Sequence, residues 1–262
     1  MQRRKLLRDL SIGAVGVTAI SLGWNFRDLV VASKQKEKPH WGYIGKEGPE
    51  NWGKLSPEFS SCDLGTAQSP ININSPIEAN LDQLEIDYQS SPLRIINNGH
   101  TIQVNYQSES VLKLDGETYK LVQFHFHHPS EHKVNSQNFP MELHLVHQNE
   151  KGSLAVLGVF LKQGKANKAL ESIWEVLPEK QGKEQIIPNV EINASELLPT
   201  DKEFYRYYGS LTTPPCSEKV NWIVYKKPIE VSVAQVQKFS KLFPLNARPV
   251  QNLNRRFLLG SN

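Results

Sequence analysis

Short runs in which apolar and polar side chains alternate recur from about residue 68 onward, and they limit the folds open to this chain. A period of two residues is typical of strands that bury one face. The clearest runs lie at 93–97, 101–106, 110–114, 119–127, 141–147 and 154–162. They do not alternate regularly with helical patterns, as the strands of a doubly wound parallel sheet would. The pattern therefore predicts a mainly β fold, with a mostly antiparallel sheet and peripheral α-helices.

Two segments instead have the apolar spacing of three and four residues that is typical of helices. They are 166–177 (ANKALESIWEVL) and 233–243 (VAQVQKFSKLF). The segment 33–60 is polar and rich in Pro and Gly, but its tryptophans need burial, so we expect it to be irregular and packed. No linker-like stretch divides residues 40–260, and residues 33–262 are therefore expected to form a single domain.

Residues 1–32 have the composition of an export signal peptide. Arg3, Arg4 and Lys5 precede a charge-free, mostly apolar run of 14 residues at 10–23. This run is short for a membrane span but right for the apolar region of a signal. The Arg3-Arg4 pair resembles a twin-arginine signal. We expect an exported protein, periplasmic or extracellular, with no stable membrane insertion after cleavage; an uncleaved N-terminal anchor is the alternative.

The formal net charge of +3 gives no reason to expect a nucleic-acid partner. Residues 1–32 account for it with five basic and two acidic side chains, so the rest of the chain is charge-balanced. A balanced body offers no electrostatic attraction to a phosphate backbone.

The chain contains two cysteines, Cys62 and Cys216. In an exported protein an even pair predicts one disulfide bond. Two buried thiols are the alternative.

The strand predicted at 119–127 (YKLVQFHFH) has histidines on one face. Because side chains alternate across a strand, His125 and His127 share a face with Gln123. His144, in the neighbouring run 141–147 (MELHLVH), can supply a third imidazole. Three neutral imidazoles with one open position are typical of a catalytic Zn²⁺ site.

Two further side chains can orient these ligands. A metal-bound histidine usually donates its second N–H to an amide, carboxylate or carbonyl. Gln123 can orient His125, and Glu142 can orient His144, because each lies two residues from its ligand. The other histidines nearby, at 128, 132 and 147, are expected to be surface or hydrogen-bonded structural groups.

The residues between 40 and 255 resemble those of the α-class carbonic anhydrases of the bacterial, exported type. The resemblance extends over nearly the whole chain after residue 40, with many motifs in the same order. They are HWGY at 40–43, GPENW at 48–52, QSPININ at 68–74, NNGH at 97–100, QFHFH at 123–127, SEH at 130–132, ELHLVH at 142–147, LAVLGVFL at 154–161 and YYGSLTTPPCSEKVNWIV at 207–224.

The resemblance implies a central, mostly antiparallel sheet of about ten strands with Zn²⁺ in a conical cleft. It implies reversible hydration of CO₂ to bicarbonate, in which zinc-bound hydroxide attacks the carbon. Thr212 would donate its hydroxyl proton to Glu131 and so orient the hydroxide, since an ionised carboxylate only accepts hydrogen bonds. The Thr212 N–H and Thr213 would hold an anion oxygen. The paired cysteines also match the disulfide positions of secreted and bacterial members.

The resemblance also implies an apolar CO₂ pocket and a route for the proton. Val146, Val156, Leu211 and Trp222 match the lining of the pocket. His100 matches the proton shuttle, since a group that titrates near pH 7 is needed. Tyr43 and Asn98 match residues that hold the water chain to it.

Two other functions remain open from the residues themselves. One is a carbonic-anhydrase-like binding protein without activity, although such relatives typically lack one or more of the zinc histidines. The other is a zinc esterase, since the same chemistry can attack an activated ester. The small-molecule substrate pair CO₂ and bicarbonate is expected, and the oligomeric state is left open.

Overall fold

The computed structural model describes residues 39–107 and 109–262, so the predicted export signal lies outside the described residues. The strands are β1 Asn72–Ile73, β2 Ile77–Ala79, β3 Glu85–Asp87, β4 Ser91–Asn97, β5 Ile102–Asn105, β6 Val111–Leu114, β7 Glu117–His127, β8 Lys133–Val134, β9 Met141–Gln148, β10 Leu154–Gln163, β11 Gln185–Ile192, β12 Phe204–Gly209, β13 Val220–Tyr225, β14 Ile229–Val231 and β15 Leu259–Ser261. The α-helices are α1 Trp52–Leu55, α2 Ser61–Leu64, α3 Glu171–Glu175 and α4 Val233–Leu242. Single 3₁₀ turns lie at Gly45–Glu47, Pro57–Phe59, Lys168–Leu170 and Ala194–Leu197.

One large sheet organises the described part of the chain. Ten of its strands follow one another in the order β11-β4-β5-β7-β9-β10-β13-β12-β15-β2, and β3, β6 and β14 pair with it at the side. Most pairings are antiparallel; β10 with β13, β10 with β14, and β15 with β2 are parallel. The predicted mainly β, mostly antiparallel fold is confirmed.

The two central strands, β7 and β9, place the predicted zinc ligands side by side. They pair antiparallel, with His125 opposite His144 and His127 opposite Glu142. Phe124 and Phe126 point away from them into the main core. There Phe126 packs edge-on against Trp174 of α3, at 4.9 Å between ring centroids. One face of β7 therefore packs against helices while the other carries the histidines.

A bulge in β7 changes which side chains share a face. The register with β9 shifts between Leu121 and Gln123. Leu121 is buried in the same core as Phe124, whereas strict alternation would have put it with Gln123 and His125. An extra residue on one strand of a pair produces such a reversal.

Of the two predicted helices, the second forms almost as expected and the first is shorter. α4 begins with a capping box between Ser232 and Gln235, which satisfies two backbone donors that a helix start leaves free. In 166–177 only a 3₁₀ turn and the five residues of α3 are helical. Pro178 accounts for the early end, because a proline disfavours the helical conformation in the residue before it.

Residues 39–60, the described part of the segment predicted to be irregular and packed, contain only short helices and turns. Trp52 is completely buried, and Trp41 and Tyr43 pack on it in a small aromatic cluster that also includes the two cysteines. No helix within the described ranges is long and apolar enough to cross a lipid bilayer.

Candidate metal centre

Three imidazoles converge on one point in the middle of the sheet. His125 and His127 come from β7, and His144 comes from β9. One nitrogen from each ring lies within 4.8 Å of the other two. His127 and His144 are almost completely buried. The structure therefore brings together the three residues that the strand pattern predicted.

Each of the three rings is fixed by an acceptor on its outer side. An amide oxygen, a backbone carbonyl and a carboxylate can only accept, so each ring must donate its outer N–H and keep a lone pair on the inner nitrogen. The outer contacts are His125 Nδ1 to Gln123 Oε1 at 2.9 Å, His127 Nδ1 to the Asn246 carbonyl at 2.6 Å, and His144 Nε2 to Glu142 Oε1 at 2.9 Å.

Burial favours the neutral form of His125 and His127. It lowers the pKa of His125 well below the ordinary value, and the neighbouring His127 and His144 lower it further. Burial also lowers the pKa of His127, although the Glu131 carboxylate acts in the opposite direction. Deprotonated rings are the form that binds metals.

The three inner imidazole nitrogens are suitable ligands for Zn²⁺. His127 Nε2 is buried and has no hydrogen-bond partner among the described residues. An unpaired buried nitrogen costs free energy unless something binds it. Three neutral imidazole nitrogens that leave a fourth position open are the ligands of catalytic rather than structural zinc sites.

Glu142 also belongs to a second buried cluster, which includes His132. Its Oε1 is 2.7 Å from His132 Nδ1, and its Oε2 accepts the His132 backbone N–H at 2.8 Å. His132 Nε2 lies 2.7 Å from the Tyr207 hydroxyl. Because these atoms already bond one another, His132 and Glu142 form a hydrogen-bonded chain behind His144 instead of a second metal site.

Glu131 lies beside the ligand nitrogens and has one unpaired oxygen. Its Oε1 accepts the Arg248 backbone N–H at 2.8 Å. Its Oε2 is 3.5 Å from His127 Nε2 and has no hydrogen-bond partner in residues 39–107 and 109–262. Thr212, in the loop after β12, is buried as well. A donor is therefore still required at Glu131 Oε2.

The four residues predicted to line an apolar pocket lie in one hydrophobic cluster. Val146 and Val156 face each other across β9 and β10. Trp222 of β13 is buried, and its ring lies 4.8 Å from that of His144. Leu211 packs against the same cluster. These four residues thus form an apolar wall that adjoins His144.

His100 lies in a turn between β4 and β5 and stacks on Trp41. The two ring centroids are 3.7 Å apart and the planes differ by 5°. Burial and the charge of nearby His40 lower the pKa of His100. Asn98 shapes this turn, because its Oδ1 accepts the backbone N–H groups of His100 and Thr101.

Tyr43 and Thr213 were also predicted to belong to the site. Burial, helped by the Glu131 charge, raises the pKa of Tyr43 well above its ordinary value, so its hydroxyl stays protonated.

The Thr213 carbonyl accepts the Cys216 backbone N–H at 2.9 Å. Cys216 in turn forms the predicted disulfide bond with Cys62.

Besides the Arg248 N–H that bonds Glu131, sequence reasoning missed several groups that contact predicted site residues. Among them are the Asn246 carbonyl, Trp41 as the stacking partner of His100, and His132 as the second partner of Glu142. A backbone carbonyl 119 residues away leaves no signal in the sequence. The His132 contact could have been suspected, because a buried carboxylate usually has more than one partner.

Comparison with known proteins gives one consistent result. A family model described as eukaryotic-type carbonic anhydrase matches residues 47–261. A carbonic anhydrase of Nostoc sp. is 46% identical over 99% of this chain and 97% of its own. The alpha-carbonic anhydrase of Thermovibrio ammonificans, solved with the inhibitor sulfanilamide, is 48% identical, with a TM-score of 0.82 over 85% of this chain and 99% of that one. Dioscorin, solved with ascorbate, is 33% identical, with a TM-score of 0.78 over 84% and 97%.

Proposed function

Because this chain belongs to the eukaryotic-type (alpha) carbonic anhydrase family, we propose that it catalyses the reversible hydration of CO₂ to bicarbonate and a proton at a Zn²⁺ ion. His125, His127 and His144 would hold the ion. The observation that carries the proposal is the convergence of their three lone-pair nitrogens, within 4.8 Å of one another, two of them on almost completely buried rings. Zn²⁺ bound there would supply a Lewis acid that lets water lose a proton near neutral pH.

Thr212 and Glu131 would orient the nucleophile. The unpaired Oε2 of Glu131 needs a donor, and the Thr212 hydroxyl is the group we assign to it. Once that proton is donated, the Thr212 oxygen can only accept a hydrogen bond from the attacking group. The Thr212 N–H and Thr213 would then hold an oxygen of bicarbonate.

The apolar wall would bind CO₂. The molecule carries no charge and little polarity, so a pocket of Val146, Val156, Leu211 and Trp222 accepts it without competing for its oxygens. The same wall would exclude water and so favour the attack on carbon.

His100 would carry the released proton to solvent. Its lowered pKa keeps the ring neutral and able to accept a proton at neutral pH. Tyr43, which stays protonated, and Asn98 would hold the ordered water between the metal and His100. The imidazole then passes the proton to buffer.

Export of the protein is part of this proposal. The disulfide of Cys62 and Cys216 is typical of proteins in oxidising compartments. Residues 1–32 would be the signal that directs the chain there, to the periplasm or the medium. The small-molecule pair CO₂ and bicarbonate would be its substrates.

Stopped-flow measurement of CO₂ hydration by the purified, zinc-loaded protein tests the proposal. We expect turnover well above the buffer rate, and its loss in His125→Asn. A rate equal to that of buffer would contradict the enzymatic proposal and leave an inactive binding protein. A parallel assay with 4-nitrophenyl acetate tests the substrate: an ester efficiency above that for CO₂ would make the protein an esterase.

A further inference from the structure

Two buried polar side chains outside the metal centre have no part in the proposed chemistry. Gln68, in the QSPININ segment, is 4% exposed, and Arg248 is 2% exposed. Burying an amide and a guanidinium is costly unless their hydrogen bonds are made. The bonds that these two residues make extend to Glu131 and to the loop that contains Thr212.

The first set of bonds leads to Glu131. The Arg248 guanidinium donates to Gln68 Oε1 and the Ser69 carbonyl, both at 2.8 Å, and to the Cys62 carbonyl at 3.0 Å. Burial lowers the pKa of Arg248 to about 10, so the group remains charged at neutral pH and its bonds are charge-assisted. The same residue uses its backbone N–H to hold Glu131 Oε1. The anchored side chain therefore fixes the donor that Glu131 depends on.

The second set of bonds leads to the loop that contains Thr212. Gln68 Nε2 donates to the Cys216 carbonyl at 3.0 Å, and the Cys216 N–H donates to the Thr213 carbonyl at 2.9 Å. Beside Gln68, Ser69 and Ser210 exchange two bonds: Ser69 N–H to Ser210 Oγ at 2.9 Å, and Ser210 N–H to Ser69 Oγ at 3.1 Å. The loop is thus held on both sides of Thr212.

We propose that Gln68 and Arg248 are positioning residues, which together set the place of Glu131 relative to Thr212. The inference rests on the proposed function. Gln68 links the two sets of bonds. Its Oε1 accepts a hydrogen bond from the Arg248 guanidinium, and its Nε2 donates one to the Cys216 carbonyl in the loop that contains Thr212. Glu131 and this loop lie on segments distant in sequence. Without the Gln68 hydrogen bonds, their relative position would depend on less directional packing contacts. A hydrogen bond that orients a nucleophile is sensitive to small changes in the position of Glu131 relative to Thr212.

The test compares Gln68→Met and Arg248→Met with the control Gln235→Met. Gln235 is a buried amide too, but it bonds Asn167 and Ser232 at the start of α4. All three changes should lower the midpoint of thermal unfolding. Only the first two should reduce kcat/KM for CO₂ hydration per bound zinc, by about tenfold, as removal of supporting hydrogen bonds commonly does.

Two further readouts separate positioning from general destabilisation. The double variant should lose no more kcat/KM than the worse single variant, since both changes break one network. Hydrogen exchange of the zinc-loaded protein should show a faster Arg248 amide in Gln68→Met and an unchanged one in Gln235→Met. If Arg248→Met does not fold, the comparison of Gln68→Met with Gln235→Met decides alone.

The inference is overturned if Gln68→Met keeps kcat/KM per zinc within twofold of the wild type, or if its Arg248 amide exchanges as slowly as before. A wild-type protein without CO₂ hydration contradicts the proposed function instead. In that case the amide exchange still shows whether Gln68 holds the Arg248–Glu131 contact.

Discussion

His144 donates its Nε2–H to Glu142 Oε1 at 2.9 Å, and this bond leaves Nδ1 as the nitrogen that faces His125 and His127. Burial by itself would raise the pKa of Glu142. The neighbouring rings of His132 and His144, each of which donates a hydrogen bond to the carboxylate, instead hold that pKa well below its usual value. Glu142 is therefore ionised, and an ionised carboxylate can accept from two rings at once.

The change Glu142→Gln should weaken zinc binding. The amide has one acceptor oxygen for three donors, and its NH₂ group faces an imidazole that also donates. We expect the zinc dissociation constant to rise by roughly 10- to 100-fold, as for other groups that orient metal ligands. Competition with a chelator measures it. Glu117→Gln, which removes an exposed carboxylate of β7 paired with Lys151, is the control and should leave zinc affinity unchanged.

His144→Ala should remove most bound zinc and nearly all CO₂ hydration, because two imidazoles hold the ion poorly. Metal analysis of the purified variant measures this. The matched control is His147→Gln, on the same strand but the opposite face, where the ring meets the Tyr88 hydroxyl at 2.6 Å. Stoichiometric zinc in His144→Ala would count against the ligand set.

Protein stability should depend on pH through His147. Burial lowers its pKa from the usual 6.5 to about 4, although hydrogen bonds with two backbone carbonyls partly offset this. Between these values the unfolded chain binds a proton that the folded protein does not. Stability is therefore greatest above pH 6.5 and falls as the pH drops toward 4, by about 3 kcal/mol in total for this residue. Urea unfolding at several pH values should show that the free energy of unfolding depends less on pH in His147→Gln than in the wild type. An identical pH dependence would contradict the role given to His147.

His100→Ala should slow CO₂ hydration when buffer is weak, because no group then passes the proton to solvent. Added imidazole should restore the rate. His40→Ala provides the control: it removes the exposed neighbouring imidazole that pairs with Glu47 and lowers the pKa of His100, but it leaves the His100 ring in place and should keep most of the rate. If buffer identity changed the turnover of neither the wild type nor His100→Ala, proton transfer through His100 would not be rate-limiting.

Reduction of the Cys62–Cys216 bond should destabilise the protein. The bond closes a loop across 154 residues. On the chain-entropy account such a crosslink contributes about 5 kcal/mol. Urea unfolding with and without reductant measures the difference. The double variant Cys62→Ala/Cys216→Ala should be less stable and unaffected by reductant, which excludes a general effect of the reagent.

The spacing of apolar residues along the chain predicted the individual strands and helices, which depend mainly on neighbouring residues. The strand at 119–127 forms as β7, and 233–243 forms almost entirely as α4. The pattern was wrong in two places. It extended the helix at 166–177 toward Pro178, and it did not show the bulge that turns Leu121 to the core. A bulge arises from pairing with β9, so it depends on a partner that one strand's pattern does not contain.

The sequence by itself determined that His125 and His127 share one strand face and that His144 can meet them, because side-chain alternation is a property of each strand. Tertiary structure decided which nitrogen of each ring is free, since the acceptors that set it include the Asn246 carbonyl, far along the chain. It also decided that Arg248 holds Glu131. Contacts between segments distant in sequence follow from the folded sheet and its loops, and no local spacing encodes them.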